Sequence, residues 1–328
     1  MKKNNSYTEL SNIIKNSKKI LLFPHINIDG DAMGSSVALC RVLRNMGKEA
    51  YILVEDEISD NLTFLNDDKY ITENQDIISN PDLTICVDCG EISRFPKRTE
   101  KFFSGKVTMC VDHHGTSDGT ADYNIVEPEA AATGEILYRL FKEMDVDFDK
   151  EISNCLFTAI TMDTGNFQYS NTTFISHQIV ADLYKYGLDS NVVSINIYEN
   201  NSWEKIQTEA LVLAGTEFVL DGKIAIAKVT AKILKKTGCK MNETESIVST
   251  LRSIGGVEIA ALVKEDSKNN TRVSLRGKNY ADVSIAAVAL GGGGHVKAAG
   301  CTIEKNIDEA TEIIKNELIK EIVRYNEN

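Results

Sequence analysis

The chain has 328 residues and a formal net charge of −12. At roughly 100–200 residues per domain, two domains are expected, and 42% hydrophobic with 26% charged residues is ordinary for a globular protein. The acidic balance argues against a protein that wraps long nucleic acid, which needs an extended basic surface, and no apolar run reaches the ~20 residues of a membrane span.

The start, Met1-Lys2-Lys3, leads into no apolar core, so no signal peptide is expected. Seven cysteines, an odd number scattered through apolar runs, point to reduced core thiols and a cytoplasmic setting. Cys86 and Cys89 form a C-x-x-C. Zinc would want a second such pair, which is lacking; a redox pair stays open as an alternative.

Residues 6–17 predict a leading helix. The apolar run 20–23 predicts a buried strand that stops at Pro24. His25, Asp29 and Asp31 follow, with Gly30 allowing a sharp turn and Asp31 positioned to cap the next helix, 32–46. Residues 50–54 predict a second strand, followed by Glu55-Asp56-Glu57, expected to be a solvated surface. Strands are expected at 83–87, ending in Asp88, at 106–111, ending in Asp112-His113-His114, and at 123–126. Helices follow at 130–144 and 149–161, the latter ending near Asp163. Strands alternating with helices give a doubly wound α/β pattern, in which ligands bind at the C-terminal edge of the strands. A helix at 174–186 carries His177, expected to serve packing or surface more than a site.

From about residue 216 the texture changes. A hairpin is expected at 217–220 and 223–229 around Asp221-Gly222. A helix at 242–254 reads with a capping box of Asn242 and Glu245. Strands at 258–264 and 271–276, an apolar helix at 281–290 and a closing helix at 307–325 complete the second domain. Between the last two helices lie Gly291-Gly292-Gly293-Gly294-His295 and Ala298-Ala299-Gly300. Backbone N–H groups in such a glycine loop can cradle an anion. Arg252, Arg276, Lys278, His295 and Lys297 add positive charge in the same domain.

His25, Asp29, Asp31, Asp88, His113 and Asp163 are the candidate metal ligands. Nitrogen and hard-oxygen donors without thiolate suit Mn²⁺, with Mg²⁺ or Co²⁺ as substitutes. Four crowded carboxylates repel one another unless cations stand between them. Two divalent ions would relieve this and make a two-metal hydrolase.

His25-x-x-x-Asp29-x-Asp31, Asp88, Asp112-His113-His114 and Asp163 resemble the four motifs of the DHH phosphoesterase superfamily. The glycine run with His295 and Ala298-Ala299-Gly300 resembles the signature of the companion DHHA1 domain. The resemblance covers nearly the whole chain, and the layout is most similar to the nanoRNase/pAp-phosphatase branch. It implies a mostly parallel DHH domain over 1–190, a helical linker over 191–215 and a smaller α/β DHHA1 domain over 216–328. It implies two Mn²⁺ ions, one held by His25, Asp29 and Asp88, the other by Asp31, Asp88, His113 and Asp163. Asp88 would bridge them, His114 would face the substrate phosphate, and Asp112 would orient the histidines. Arg252, Arg276, Gly292, Gly293, Gly294 and His295 would bind the rest of a nucleotide. Val296-Lys297 departs from the family's usual proline after the histidine.

The implied activity is hydrolysis of short oligoribonucleotides to mononucleotides and dephosphorylation of 3′-phosphoadenosine 5′-phosphate (pAp) to AMP. The nearest rival is cleavage of cyclic di-AMP or its linear product pApA; a rival of another class is a non-catalytic nucleotide-binding protein. Inorganic pyrophosphatases share the DHH motifs but resemble a different second domain. Small nucleotides rather than long nucleic acid or membrane are the expected partners, and a homodimer is a further expectation.

Overall fold

The computed structural model describes residues 4–65, 70–267 and 269–326; Met1-Lys2-Lys3, where the start was read for a leader, lies outside them. Two compact units, Met1–Asn200 and Asn201–Asn328, divide the chain.

In the first unit the apolar runs form one six-stranded sheet of β1 (Lys19–Phe23), β2 (Glu49–Leu53), β3 (Ile71–Thr72), β4 (Leu83–Val87), β5 (Val107–Asp112) and β6 (Tyr123–Val126). Every pairing is parallel. Parallel strands need both faces covered, which is why β4 reads as an unbroken apolar run and is buried throughout. The helices are α1 (Tyr7–Asn16), α2 (Gly30–Asn45), α3 (Thr99–Phe103), α4 (Thr133–Glu143), α5 (Lys150–Asp163), α6 (Phe174–Leu183) and α7 (Ser190–Tyr198). One face of the sheet packs with residues of α1, α2, α4 and α5 around Leu22, Ile85 and Val111. The other face packs Leu21, Phe23 and Cys86 beneath Phe95 and Phe102. In α4, Ile136, Leu137, Leu140 and Phe141 are all fully buried, worth about 1.5–3 kcal/mol each. The helices α2 and α5 approach closely at Gly34, where a methyl group would meet the Cys155 carbonyl oxygen at 2.5 Å.

The strand order is β3-β2-β1-β4-β5-β6. It reverses between β1 and β4, the point at which open α/β sheets bind ligands beyond their strand ends. His25 follows β1 and Asp88 follows β4.

The second unit holds α8 (Trp203–Ala214), β7 (Glu217–Val219), β8 (Ile224–Val229), α9 (Ala231–Thr237), α10 (Ile247–Ser253), β9 (Ile259–Ser267), β10 (Asn270–Gly277), α11 (Val283–Ala289), β11 (Gly293–His295), β12 (Ala298–Ile303) and α12 (Ile307–Asn326). Its sheet order is β11-β12-β10-β9-β8-β7. Among the described residues only β8 and β9 pair in parallel there; the other neighbours are antiparallel.

Several local expectations are corrected. Asp29, not Asp31, is the N-cap of α2, accepting from Ala32 N–H at 3.0 Å. The helix begins at Gly30, so Asp31 already lies in its first turn. The Asn242–Glu245 capping box does not form: a 3₁₀ turn, Met241–Thr244, precedes α10, and Glu245 pairs with buried Lys264 across the fold. The acidic stretch after β2 is not simply solvated. The Glu55 side chain is 6% exposed and pairs with buried Arg98, and Asp56 accepts from Asn27 N–H at 2.7 Å. The edge strand β3 and the short helices α3 and α9 had no clear sequence signal. No helix among the described residues is long and apolar enough to cross a membrane.

Candidate metal centre

Beyond the C-terminal ends of β1, β4 and β5, the six expected donors converge. His25 Nε2 lies 3.6 Å from Asp29 Oδ2 and 3.5 Å from Asp88 Oδ2. His113 Nε2 lies 3.7 Å from Asp31, 3.6 Å from Asp88 Oδ1 and 3.1 Å from Asp163 Oδ2. Two triplets, His25-Asp29-Asp88 and Asp31-His113-Asp163, each bring their donor atoms within 4.8 Å of one another. Asp88 stands between them, one carboxylate oxygen toward each histidine.

The backbone aims these groups. Asp88 adopts φ +57°, a left-handed conformation that costs a non-glycine residue about 1–3 kcal/mol. Its N–H is fixed to the Val111 carbonyl of β5 at 2.9 Å. Asp31 accepts from Ser35 Oγ (2.8 Å) and from the N–H groups of Thr133 (2.6 Å) and Gly134 (3.1 Å) at the start of α4. A helix N-terminus carries partial positive charge and suits a carboxylate. Thr133 Oγ1 donates to Asp88 Oδ1 at 2.9 Å. One threonine thereby braces two carboxylates.

The donor set fits divalent cations. His25 Nδ1 donates to the Ile26 carbonyl at 2.6 Å, and His113 Nδ1 to the Ala130 carbonyl at 3.2 Å. Each backbone bond leaves the Nε2 lone pair facing the carboxylates, the arrangement of metal-ligating imidazoles. His25 Nε2 is buried with no hydrogen-bond partner. Acceptors that face acceptors in a buried pocket call for a cation between them.

The titration tendencies reflect this crowding. Burial pushes the Asp31 carboxyl well above its usual range, and the carboxylates of Asp88 and Asp163 push it further. Burial also raises Asp163, against the opposing pull of His113. Burial alone would lower His25, but Asp29 and Asp88 raise it to about 10, so a proton on Nε2 answers the same demand for positive charge that a metal ion would meet. Burial would raise Asp88, yet the imidazoles of His25, His114 and His113 hold it below the usual carboxylate range.

Asp112 is fully buried, and its Oδ1 accepts from His114 N–H at 3.2 Å and from Nδ1 at 2.7 Å. That fixes the His114 ring and turns Nε2 away from Asp112. Gly90 permits the packing: a methyl there would come within 1.7 Å of Ser117 Oγ and 2.6 Å of Asp112 Oδ2.

In the second unit, Arg276, Ala298 and His295 are register partners on β10, β12 and β11. Direct partners share a face, so Arg276 and His295 stand on one side of the sheet, about 10 Å apart across two strand spacings. The same face carries α10, and with it Arg252, through the buried cluster of Val248, Leu251, Ala260 and Leu262. The glycine run is less open than a cradling loop. Gly293–His295 is strand, and Gly292 N–H caps α11 by donating to Ala287 at 2.8 Å. A methyl on Gly292 would meet the Gly300 carbonyl at 2.1 Å and one on Gly294 the Ala298 carbonyl at 2.5 Å, whereas Gly293 faces open space. Lys278 and Lys297 staple neighbouring loops through the carbonyls of Ile254, Asn279 and Ala281.

Two candidates fall away. Cys86 and Cys89 are buried free thiols. Burial raises Cys86 well above the normal thiol range and takes Cys89 up to about 12, which removes the thiolate that redox exchange needs. His177 is exposed and stacks on Phe167 with ring centroids 5.2 Å apart, and among the described residues it belongs to none of the donor groups. Sequence reasoning missed Thr133, Ser35 and Arg94. The last places Nη1 3.5 Å from His114 Nε2.

Residues 19–160 match the DHH family, N-terminal domain, and residues 221–320 match the DHHA1 domain. The bifunctional oligoribonuclease and PAP phosphatase NrnA of Thermus thermophilus is 28% identical over 93% of this chain and 90% of its own. Its namesake in Bacillus subtilis is 26% identical over 94% and 96%. A solved structure of an exopolyphosphatase-related protein from Bacteroides fragilis superposes with a TM-score of 0.89 at 23% identity, covering 96% of this chain and 95% of that one, which shows the shared fold. The chain belongs to the DHH phosphoesterase family, as a DHH–DHHA1 metal-dependent hydrolase of phosphoester bonds.

Proposed function

We propose that this protein is a manganese-dependent phosphoesterase that trims very short oligoribonucleotides to mononucleotides and dephosphorylates pAp to AMP. The observation that carries this reading is the pair of donor triplets, His25-Asp29-Asp88 and Asp31-His113-Asp163, with Asp88 turning one oxygen toward His25 and the other toward His113. Relatives named for these two activities, similar over nearly their whole length, support the substrate class.

In this reading His25, Asp29 and Asp88 hold one ion, and Asp31, Asp88, His113 and Asp163 hold the other. Bound divalent cations supply an acidified water and offset charge on phosphoryl oxygens. The chain's own groups do the rest. The start of α4 and Thr133 keep Asp31 and Asp88 oriented. Asp112 holds His114 so that Nε2 is presented to a phosphoryl oxygen, where a fixed donor is worth most as charge builds. Arg252, Arg276, Gly293 and His295 are the nucleotide-binding candidates of the second unit; Gly292 and Gly294 serve chiefly to let β12 pass. The seven free, buried cysteines support a reducing, cytoplasmic compartment.

Product analysis in Mn²⁺ tests the reading, with pAp, pApA, cyclic di-AMP and 5′-labelled RNAs of graded length. Turnover of pAp and of the shortest RNAs, fading with length, is expected. Cleavage of cyclic di-AMP with little action on pAp would overturn the substrate assignment. Silence on all of them with metal bound would favour a binding protein.

A further inference from the structure

Arg94 closes the short 3₁₀ turn Ile92–Arg94, six residues beyond Asp88. Its backbone is pinned beside the centre: the Arg94 carbonyl accepts from Ile26 N–H at 2.8 Å, next to His25. Four residues on, buried Arg98 donates to the Pro24 carbonyl at 2.9 Å, so the segment is stapled at both ends to the loop that carries His25. The Arg94 side chain is half-buried, with Nη1 3.5 Å from His114 Nε2. Among the described residues no carboxylate lies within ion-pair distance of its guanidinium.

That is an unusual place for an unpaired cation. The chain carries 12 more acidic than basic charges, yet the aspartates nearest this site, Asp88 and Asp112, lie against the Nδ1 side of His114, away from Arg94. An arginine held half-buried against an imidazole gains little from that neighbour and gives up hydration. The arrangement becomes favourable once an oxyanion sits between the two. We propose that Arg94 and His114 together grip the phosphoryl group whose ester bond is cleaved. A guanidinium offers a planar fork of donors matched to phosphate. His114 Nδ1 lies 3.6 Å from Asp88 Oδ1 while Nε2 faces Arg94, so the imidazole spans the distance between the carboxylates and the guanidinium. A tetrahedral phosphoryl group presents oxygens in several directions. One can face the cations that the carboxylate cluster would hold while another meets Arg94. The phosphate-binding duty is therefore shared by the DHH domain itself.

This inference rests on the phosphoesterase reading, and the test keeps the two apart. Inorganic phosphate is titrated into the full-length protein in Mn²⁺, comparing wild type, Arg94→Gln and Arg94→Lys. Bound manganese, thermal unfolding and turnover of pAp are measured alongside. Phosphate affinity is expected to fall at least tenfold in Arg94→Gln and less in Arg94→Lys, with manganese content and unfolding unchanged. Added guanidinium should restore part of the Arg94→Gln loss. Unchanged phosphate affinity in Arg94→Gln, or a loss that tracks lost manganese, would overturn the inference. Wild-type turnover of pAp beside an unaffected Arg94→Gln would sink the Arg94 assignment alone. Arg94-dependent phosphate binding without turnover of pAp would support the oxyanion grip and count against the pAp activity.

Discussion

Thr133 Oγ1 donates to Asp88 Oδ1 at 2.9 Å, while the Thr133 N–H donates to Asp31 Oδ2 at 2.6 Å. Asp88 stands at the end of β4 and Asp31 in the first turn of α2, which follows β1 across the sheet's switch point, and one residue at the start of α4 ties them together. Thr133→Val keeps the N–H bond and removes the hydroxyl. Manganese affinity is expected to fall about 10–100-fold, the usual cost of losing a partner behind a metal ligand. Calorimetric Mn²⁺ titration of the variant checks this; affinity equal to wild type would mean that Asp88 needs no brace.

Buried Arg98 pairs with Glu55 at 2.9 Å and donates to the carbonyls of Leu53 and Pro24, joining the ends of β1 and β2. Arg98→Met leaves Glu55 in place without its partner. Removing one side of a buried pair costs about 3–5 kcal/mol. Urea unfolding should show a loss of that size, and part of it should return in Arg98→Met/Glu55→Leu.

The donor cluster was legible in the sequence because strand ends announce themselves. An apolar run followed by Asp88, or by Asp112-His113-His114, is visible without knowing the partner strand. Thr133 was not legible. Its bond to Asp31 spans 102 positions, and the expected helix at 130–144 leaves it as one more residue of an ordinary helical turn. Arg94 was hidden for a similar reason, since nothing local says that its guanidinium meets His114. The choice between Asp29 and Asp31 as the cap turned on where the helix starts, and composition does not fix that to one residue. The Asn242–Glu245 box failed because a buried lysine on β9 drew Glu245 away, a tertiary contact overriding a local signal. The glycine run suggested a flexible cradle; the close approach of β12 accounts for Gly292 and Gly294 instead.

Acid should weaken the first unit through Asp82. The Lys106 ammonium and the N–H groups of Lys19 and Lys18 hold the Asp82 carboxyl down to about 2. Its folded value lies below the unfolded one, so its contribution is present above about pH 4 and is lost as pH falls through about 2. The group is partly exposed and screened, so the contribution is about 1 kcal/mol. Asp82→Asn should therefore be less stable than wild type at pH 7, and the gap should shrink steadily between pH 4 and pH 2. A gap that stays constant would assign the effect to lost packing.

Manganese stoichiometry tests the central claim most directly. Equilibrium binding followed by electron paramagnetic resonance can count the ions on wild type and on Asp88→Ala. Two ions per wild-type chain, close enough to couple magnetically, are expected, with the coupled signal lost in Asp88→Ala. A single uncoupled ion in wild type, or the same coupled pair in Asp88→Ala, would contradict a two-ion centre built around Asp88.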